Sequence, residues 1–264
     1  MNSIIHISDL HFGKPFVQDI GDAVLQFLAD TPHDVVVCSG DIVQFAEFKS
    51  SWEAARQFFS QVAAPLMVVP GNHDVVRFFP LRRWLNPMSR YFEYINDARD
   101  MNLRLPGLDL VGLGTMRSWT LELGYITKQQ LGYVSDTFQT TQGGNFKVLV
   151  QHQSPKKLNR GILRTHVRGH KRALETYAQS GVDLILTGHN HFVHIESFKH
   201  SGSTMVWSQS GTTTSSRFPF SCPRENTLTR IDVRDTEFDI VTCVYQTANK
   251  RFEQKSVQTF PRRG

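Results

Sequence analysis

At 264 residues and 30.1 kDa the chain is long enough for one large domain or two small ones, and one domain over 1–264 is the simpler expectation. An apolar fraction of 40% with 18 glycines excludes intrinsic disorder, collagen and coiled coil, and no apolar run approaches the roughly 18 residues of a membrane span. The net charge of +5 is unevenly spread, since seven basic residues and no acid lie between Ser154 and Ala173.

Short β-branched runs recur along the chain, each followed by a polar, glycine-bearing turn: Ile4–Ile7, Val35–Cys38, Leu66–Val69, Val148–Val150 and Leu184–Leu186. Runs that are apolar at successive positions suit strands covered on both faces. Between them, Phe16–Ala29 sets Val17, Ile20, Val24, Phe27 and Leu28 on one helical stripe. Phe45–Ala63 does the same with Phe48, Trp52, Ala55, Phe59 and Val62. Leu174–Gly181 reads as a helix closed by a glycine. The last quarter alternates instead, at Met205–Ser208, Leu228–Val233 and Phe238–Tyr245, as antiparallel strands with one exposed face do. The expectation is an α/β fold of two packed sheets with helices outside and a β-rich part over about 203–260. Met1–Ile5 reads as a strand start, not an export signal, and Cys38, Cys222 and Cys243 lack metal-type spacing. Both point to a cytoplasmic protein.

Five polar clusters directly follow strand-like runs: Asp9-Leu10-His11, Gly40-Asp41, Gly71-Asn72-His73-Asp74, His152 and Gly188-His189-Asn190-His191. Ligands of α/β sheets bind where such turns converge, at the carboxyl ends of strands. Strand-like alternation would put Asp9 and His11 on one face, and His189 and His191 likewise. Any one cluster is an ordinary turn. Together, buried imidazoles, carboxylates and an amide would cost several kcal/mol in desolvation unless cations or hydrogen bonds compensate them.

In this order the five blocks resemble the calcineurin-like metallophosphoesterases over about residues 3 to 192. The resemblance implies a four-layer αββα sandwich whose second sheet comes from the strand-like finish. It also implies two divalent metal ions. Asp9, His11, Asp41 and His191 would hold one, and Asp41, Asn72, His152 and His189 the other. Nitrogen and oxygen donors without thiolate favour Mn, with Fe or Zn as alternatives. The reaction implied is in-line attack of a metal-bridging hydroxide on a phosphodiester or pyrophosphate. Beside Asn72, His73 would donate a proton or hydrogen bond to the leaving oxygen, with Asp74 orienting its ring.

The segment after Asp74 mixes arginines with large apolar residues, and a small helical cap is expected over about 77–104. The block Gly40–Gln44 lacks an additional acid carried by some family members. Gly211-Thr212 followed by Arg217 resembles the branch of cyclic-nucleotide phosphodiesterases and UDP-2,3-diacylglucosamine pyrophosphatases of the lipid A pathway. The partners expected are therefore a phosphorylated small molecule or a glycolipid, with the 77–95 cap touching the inner face of a membrane. Arg82, Arg160 and Arg164 are the candidate substrate contacts. A nuclease using the 154–173 basic stretch ranks lower. A metal-free protein-binding scaffold ranks last, because every expected donor is present.

Overall fold

Val35, Val36, Val37 and Cys38 are all fully buried, the outcome for a β-branched run covered on both faces. The computed structural model describes residues 1–141, 143–158, 166–220 and 222–263. The first half runs β1 (Asn2–Ile7), α1 (Gln18–Asp30), β2 (Val35–Cys38), α2 (Lys49–Phe59) and β3 (Leu66–Val68). Two short helices follow, α3 (Pro80–Leu85) and α4 (Ser89–Tyr94), then β4 (Met101–Leu105), β5 (Leu108–Leu113) and α5 (Lys128–Gln139). Next come β6 (Phe146–Gln151), α6 (His170–Gln179), β7 (Leu184–Thr187), β8 (His194–His200) and β9 (Ser203–Gln209). The chain finishes with β10 (Thr227–Val233), β11 (Glu237–Gln246) and β12 (Arg251–Pro261).

Two six-stranded sheets result, ordered β12-β11-β10-β1-β2-β3 and β4-β5-β6-β7-β9-β8. Strand alternation divides the side chains among three apolar layers. Ile4, Val35, Val37 and Met67 meet Leu110, Val148 and Leu184 between the sheets. Ile5, Val36 and Cys38 point outward to Val24 of α1 and Trp52 of α2. Val111, Leu149 and Ile185 face Phe138 of α5 and Tyr177 of α6. This is the αββα sandwich, with helices on both outer surfaces.

One expectation is corrected. Of the strand-like finish only its first run, β9, joins the second sheet: β10 pairs antiparallel with β1, and β11 and β12 extend that same first sheet. The second sheet is built from the middle of the chain, where β5, β6, β7 and β9 run parallel. The reason is an open edge, because β1 pairs with β2 on one side only and leaves its other side for β10.

The two helices of the 77–104 segment behave differently. In and around α4, Met88 and Tyr91 are buried against the outer core, and the Tyr91 hydroxyl donates to the Val68 carbonyl at 2.7 Å. No residue of α3 is buried, and Phe78, Phe79, Leu81, Trp84 and Leu85 stand exposed. Arg83 ties α3 to a neighbouring loop by donating to the carbonyls of Val76, Ser118 and Thr120. Among the described residues no helix is long and apolar enough to cross a membrane.

Candidate metal centre

Each of the five polar clusters follows the carboxyl end of a parallel strand: β1, β2, β3, β6 and β7. The fold brings them together across the gap between the sheets. The Asp9 amide donates to the Gly40 carbonyl at 2.9 Å and the His11 amide to the Asp41 carbonyl at 3.0 Å, so the first two loops run side by side. Gly40 makes this approach possible. Its φ is +100°, and a Cβ there would lie 2.7 Å from the Gly71 amide and 2.8 Å from His152 Nδ1.

The backbone at the donors departs from the expected strand alternation. Asp9, His11, Asp41, His189 and His191 all have left-handed φ, between 52° and 76°. Asp9 and His11 therefore converge through successive left-handed turns beyond β1, and so do His189 and His191 beyond β7. Asp and His tolerate this region better than most residues, at a cost of order 1 kcal/mol each.

The ligand atoms of Asp9, His11, Asp41 and His191 lie within 4.8 Å of one another. Around His152 a second group forms: Nε2 is 3.1 Å from Asn72 Oδ1 and 3.3 Å from Asp41 Oδ1, and His189 Nδ1 is 2.9 Å from the same Asn72 oxygen. Asp41 belongs to both groups. Asp9, His11, Asp41 and His152 are buried to within 2%.

Lone-pair directions test whether cations fit. His152 Nδ1 donates to the Ser39 carbonyl at 2.7 Å, which leaves Nε2 of the neutral ring as an acceptor facing two other acceptors. His191 Nδ1 donates to the Arg217 carbonyl at 2.8 Å. Its Nε2 then faces His11 Nε2 at 3.0 Å and Asp9 Oδ1 at 3.2 Å. Acceptors turned on one another at these distances need a proton or a cation between them, and nitrogen with carboxylate and amide oxygen suits a divalent ion. The residues fit the group.

The charges without a cation show the same tension. Burial alone would raise Asp9, but His191 and His152 hold it at about 2. Burial opposes charge on His152, yet Asp41 beside it lifts the ring to about 9. Burial and the neighbouring His152 push His189 down to about 4. The carboxylates are thus held as anions, ready to bind positive charge.

The chain matches the calcineurin-like phosphoesterase family over residues 3–193, and it belongs to that family. Among solved structures it is similar to a purple acid phosphatase from yellow lupin seeds (Lupinus luteus), with TM-score 0.76, 11% identity, 99% of this chain and 54% of that one. It thus spans about half the length of the lupin enzyme. A dimetal phosphatase from Danio rerio aligns with TM-score 0.68 and 12% identity over 99% of both chains. Vps29 from Chaetomium thermophilum aligns with TM-score 0.52 and 11% identity over 100% of both. At such identities these likenesses define the fold. No curated protein matches in sequence.

The sequence-predicted residues fall into four groups. Asp9, His11, Asp41, Asn72, His152, His189 and His191 come together, and His73 stands with them in an open cleft of about 290 Å³. Asp74 is present but does not orient His73. Its carboxylate accepts the amides of Ile42, Val43 and Gly71, while the His73 ring donates from Nδ1 to the Gln44 carbonyl at 2.7 Å. Asp74 is a neighbour in sequence whose side chain turns inward to brace two loops, and burial and Asp41 push it up to about 7. Arg82 is tied into the cap by a 3.1 Å bond to Ser89 Oγ and does not join the donor cluster. Arg160 and Arg164 lie outside the described residues.

Two further residues hold His73. Gln44 holds the His73 ring through its carbonyl, and Arg217 Nη1 lies 2.9 Å from Gln44 Oε1 and 3.1 Å from His73 Nε2. The acid that the Gly40–Gln44 block lacks and the Gly211–Arg217 pattern are the sequence signals that bear on them.

Proposed function

We propose that this protein is a dinuclear metal-dependent phosphoesterase cleaving a phosphodiester or pyrophosphate P–O bond. The observation that carries the reading is the convergence of acceptor atoms from five loops, with Asp41 common to two groups. Asp9, His11, Asp41 and His191 would hold one cation, and Asp41, Asn72, His152 and His189 the other, with Mn the first candidate. A bound pair of this kind acidifies water and polarises phosphoryl oxygens.

The chain's own residues supply the rest. The Ser39 and Arg217 carbonyls fix the tautomers of His152 and His191, so each ring keeps its Nε2 lone pair turned inward. The Asp41 carboxylate is oriented by the His73 amide at 2.8 Å. The His73 ring, fixed through Nδ1, turns Nε2 toward Arg217 and the cleft, and only with that atom protonated would the ring give a proton or hydrogen bond to the leaving oxygen.

Exposed Phe78, Phe79, Leu81, Trp84 and Leu85, tied through Arg83 to the loop bearing exposed Trp119 and Leu121, support an amphiphilic phosphate substrate. A glycolipid such as UDP-2,3-diacylglucosamine at a membrane surface would use that apolar surface, whereas a cyclic nucleotide would not. A nucleic-acid substrate draws support only from the 154–173 basic stretch. A metal-free protein-binding scaffold is opposed by the full donor set.

The test is metal analysis followed by a hydrolysis panel of a bis-aryl phosphodiester, cyclic AMP and a UDP-diacylglucosamine. Two near-stoichiometric divalent ions and activity lost on chelation are expected, with the glycolipid preferred. An active metal-free preparation refutes the metal reading. Equal rates with and without acyl chains refute the lipid reading.

A further inference from the structure

Arg217 is the charged group of the cleft that the donor set leaves without a task. It ends a loop, residues 210–217, that folds back onto the Asp9 turn. Thr212 Oγ1 donates to the Asp9 carbonyl at 2.7 Å, Thr213 N to the Ser8 carbonyl at 2.9 Å, and Thr214 Oγ1 to the Leu10 carbonyl at 2.9 Å. The Arg217 amide is held by Ser215 Oγ at 3.0 Å, and its carbonyl accepts from His191 Nδ1 at 2.8 Å. The backbone of Arg217 is therefore as firmly placed as the donors themselves.

Its guanidinium is positioned but not neutralised. Nη1 donates to Gln44 Oε1 and to His73 Nε2, both neutral acceptors. Among the described residues no hydrogen bond engages Nη2 or Nε, and no carboxylate pairs with the side chain. Gln44, which orients the guanidinium, is a neutral amide where a carboxylate of similar length would also fit. An acid there would quench the guanidinium, whereas the amide orients it and leaves its charge in place.

We propose that Arg217 binds substrate oxygen and selects a reacting group with two or more negative charges, a phosphomonoester or pyrophosphate, over a singly charged diester. The inference rests on the phosphoesterase reading above, keeps its pyrophosphate, and replaces its phosphodiester by a phosphomonoester. Asp9 and Asp41 offset half the charge of two divalent ions and the attacking hydroxide one unit more, leaving about +1, and Arg217 at the rim of the same cleft raises this to about +2. A monoanionic diester leaves that excess unmatched. A dianion or a pyrophosphate meets it, and the planar fork of Nη2 and Nε suits two phosphate oxygens. As Arg217 moves to substrate, it also releases His73 Nε2 from their 3.1 Å contact.

The experiment compares metal-loaded wild type with Arg217→Gln, Arg217→Lys and Gln44→Glu. Probes are 4-nitrophenyl phosphate and bis(4-nitrophenyl) phosphate for turnover, and inorganic phosphate for calorimetric binding. Loss of one such donor costs about 10²–10³-fold in turnover. The monoester-to-diester ratio of kcat/KM is therefore expected to fall at least about 30-fold in Arg217→Gln and Gln44→Glu. Arg217→Lys should recover part of it, and metal content and Tm should stay unchanged. Phosphate affinity should fall alongside. An unchanged ratio, or phosphate bound as tightly by Arg217→Gln as by wild type, overturns the proposal. If wild type holds two cations yet hydrolyses neither ester, the catalytic reading fails, and the phosphate titration still decides whether Arg217 binds the anion.

Discussion

Gly188→Ala tests the architecture of the site without touching a donor. A Cβ at Gly188 would sit 1.9 Å from Ser8 Oγ and 2.4 Å from Asp9 Oδ2, well inside the 3.4 Å at which ordinary contact begins. Neither neighbour is free to yield. Ser8 Oγ donates to Asp9 Oδ2 at 2.6 Å and accepts from Ser39 Oγ at 2.8 Å, while Asp9 also accepts the His189 amide. The Asp9 carboxylate must therefore move by about 1 Å, the remainder of that contact distance. Overpacking of this kind costs about 1–3 kcal/mol, a fall in Tm of roughly 2–12 °C for a chain of this size. Disturbing a ligand through its support lowers metal affinity about 10–100-fold. Differential scanning fluorimetry with and without added Mn, and metal content after dialysis, read the two effects separately. A variant that retains two ions and wild-type Tm would refute the packing argument and the role given to Asp9.

The other predictions concern the scaffold. Gly132 lies on the exposed side of α5, and a methyl group there would meet nothing within 4 Å, so Gly132→Ala should stabilise the protein by about 0.5–1 kcal/mol in urea titrations. Burial pushes the His6 imidazole down to about 3 against a weaker pull from Asp9, so the fold excludes a proton that the unfolded chain takes up below pH 6.5. That contribution is complete above pH 6.5 and is lost as pH falls toward 3, at up to about 1.4 kcal/mol per pH unit. Denaturant unfolding at pH 7 and pH 5 should show a gap that His6→Gln narrows. Arg83→Ala removes the donor shared by the Val76, Ser118 and Thr120 carbonyls, and should raise hydrogen exchange in α3 and residues 117–121 before it changes global stability. Unchanged exchange there would mean that other contacts hold the rim.

Much of this molecule could be read from its residues. Strands such as β2 announce themselves because the β-branched run Val35–Cys38 has no polar face to mislead, whereas β5, equally buried, is hidden by Asp109 and Gly112 within its run. α1 and α2 start later than their apolar stripes suggest, and α6 starts earlier, at His170. Phe16 leaves the α1 stripe to stack on Phe12 at 4.2 Å, and Phe45 packs against Phe48 and Phe78 in the turn before α2. The edge strands β8 and β12 escaped notice because most of their side chains are exposed or only part-buried and lack apolar periodicity. The placing of Arg217 was beyond reach for another reason. It depends on hydroxyl-to-carbonyl bonds such as Thr212 to Asp9, which join residues 203 positions apart.

The left-handed backbone at Asp9, His11, Asp41, His189 and His191 sets a trade between durability and chemistry. Glycine occupies such conformations without strain, so each of these five positions would rest more easily as the one residue that brings no donor at all. A chain relieved of its cations would gain robustness by drifting toward glycine in these turns, and would keep its sandwich while losing its reactivity. Side chains held where the backbone prefers none mark this cleft as a working part of the molecule.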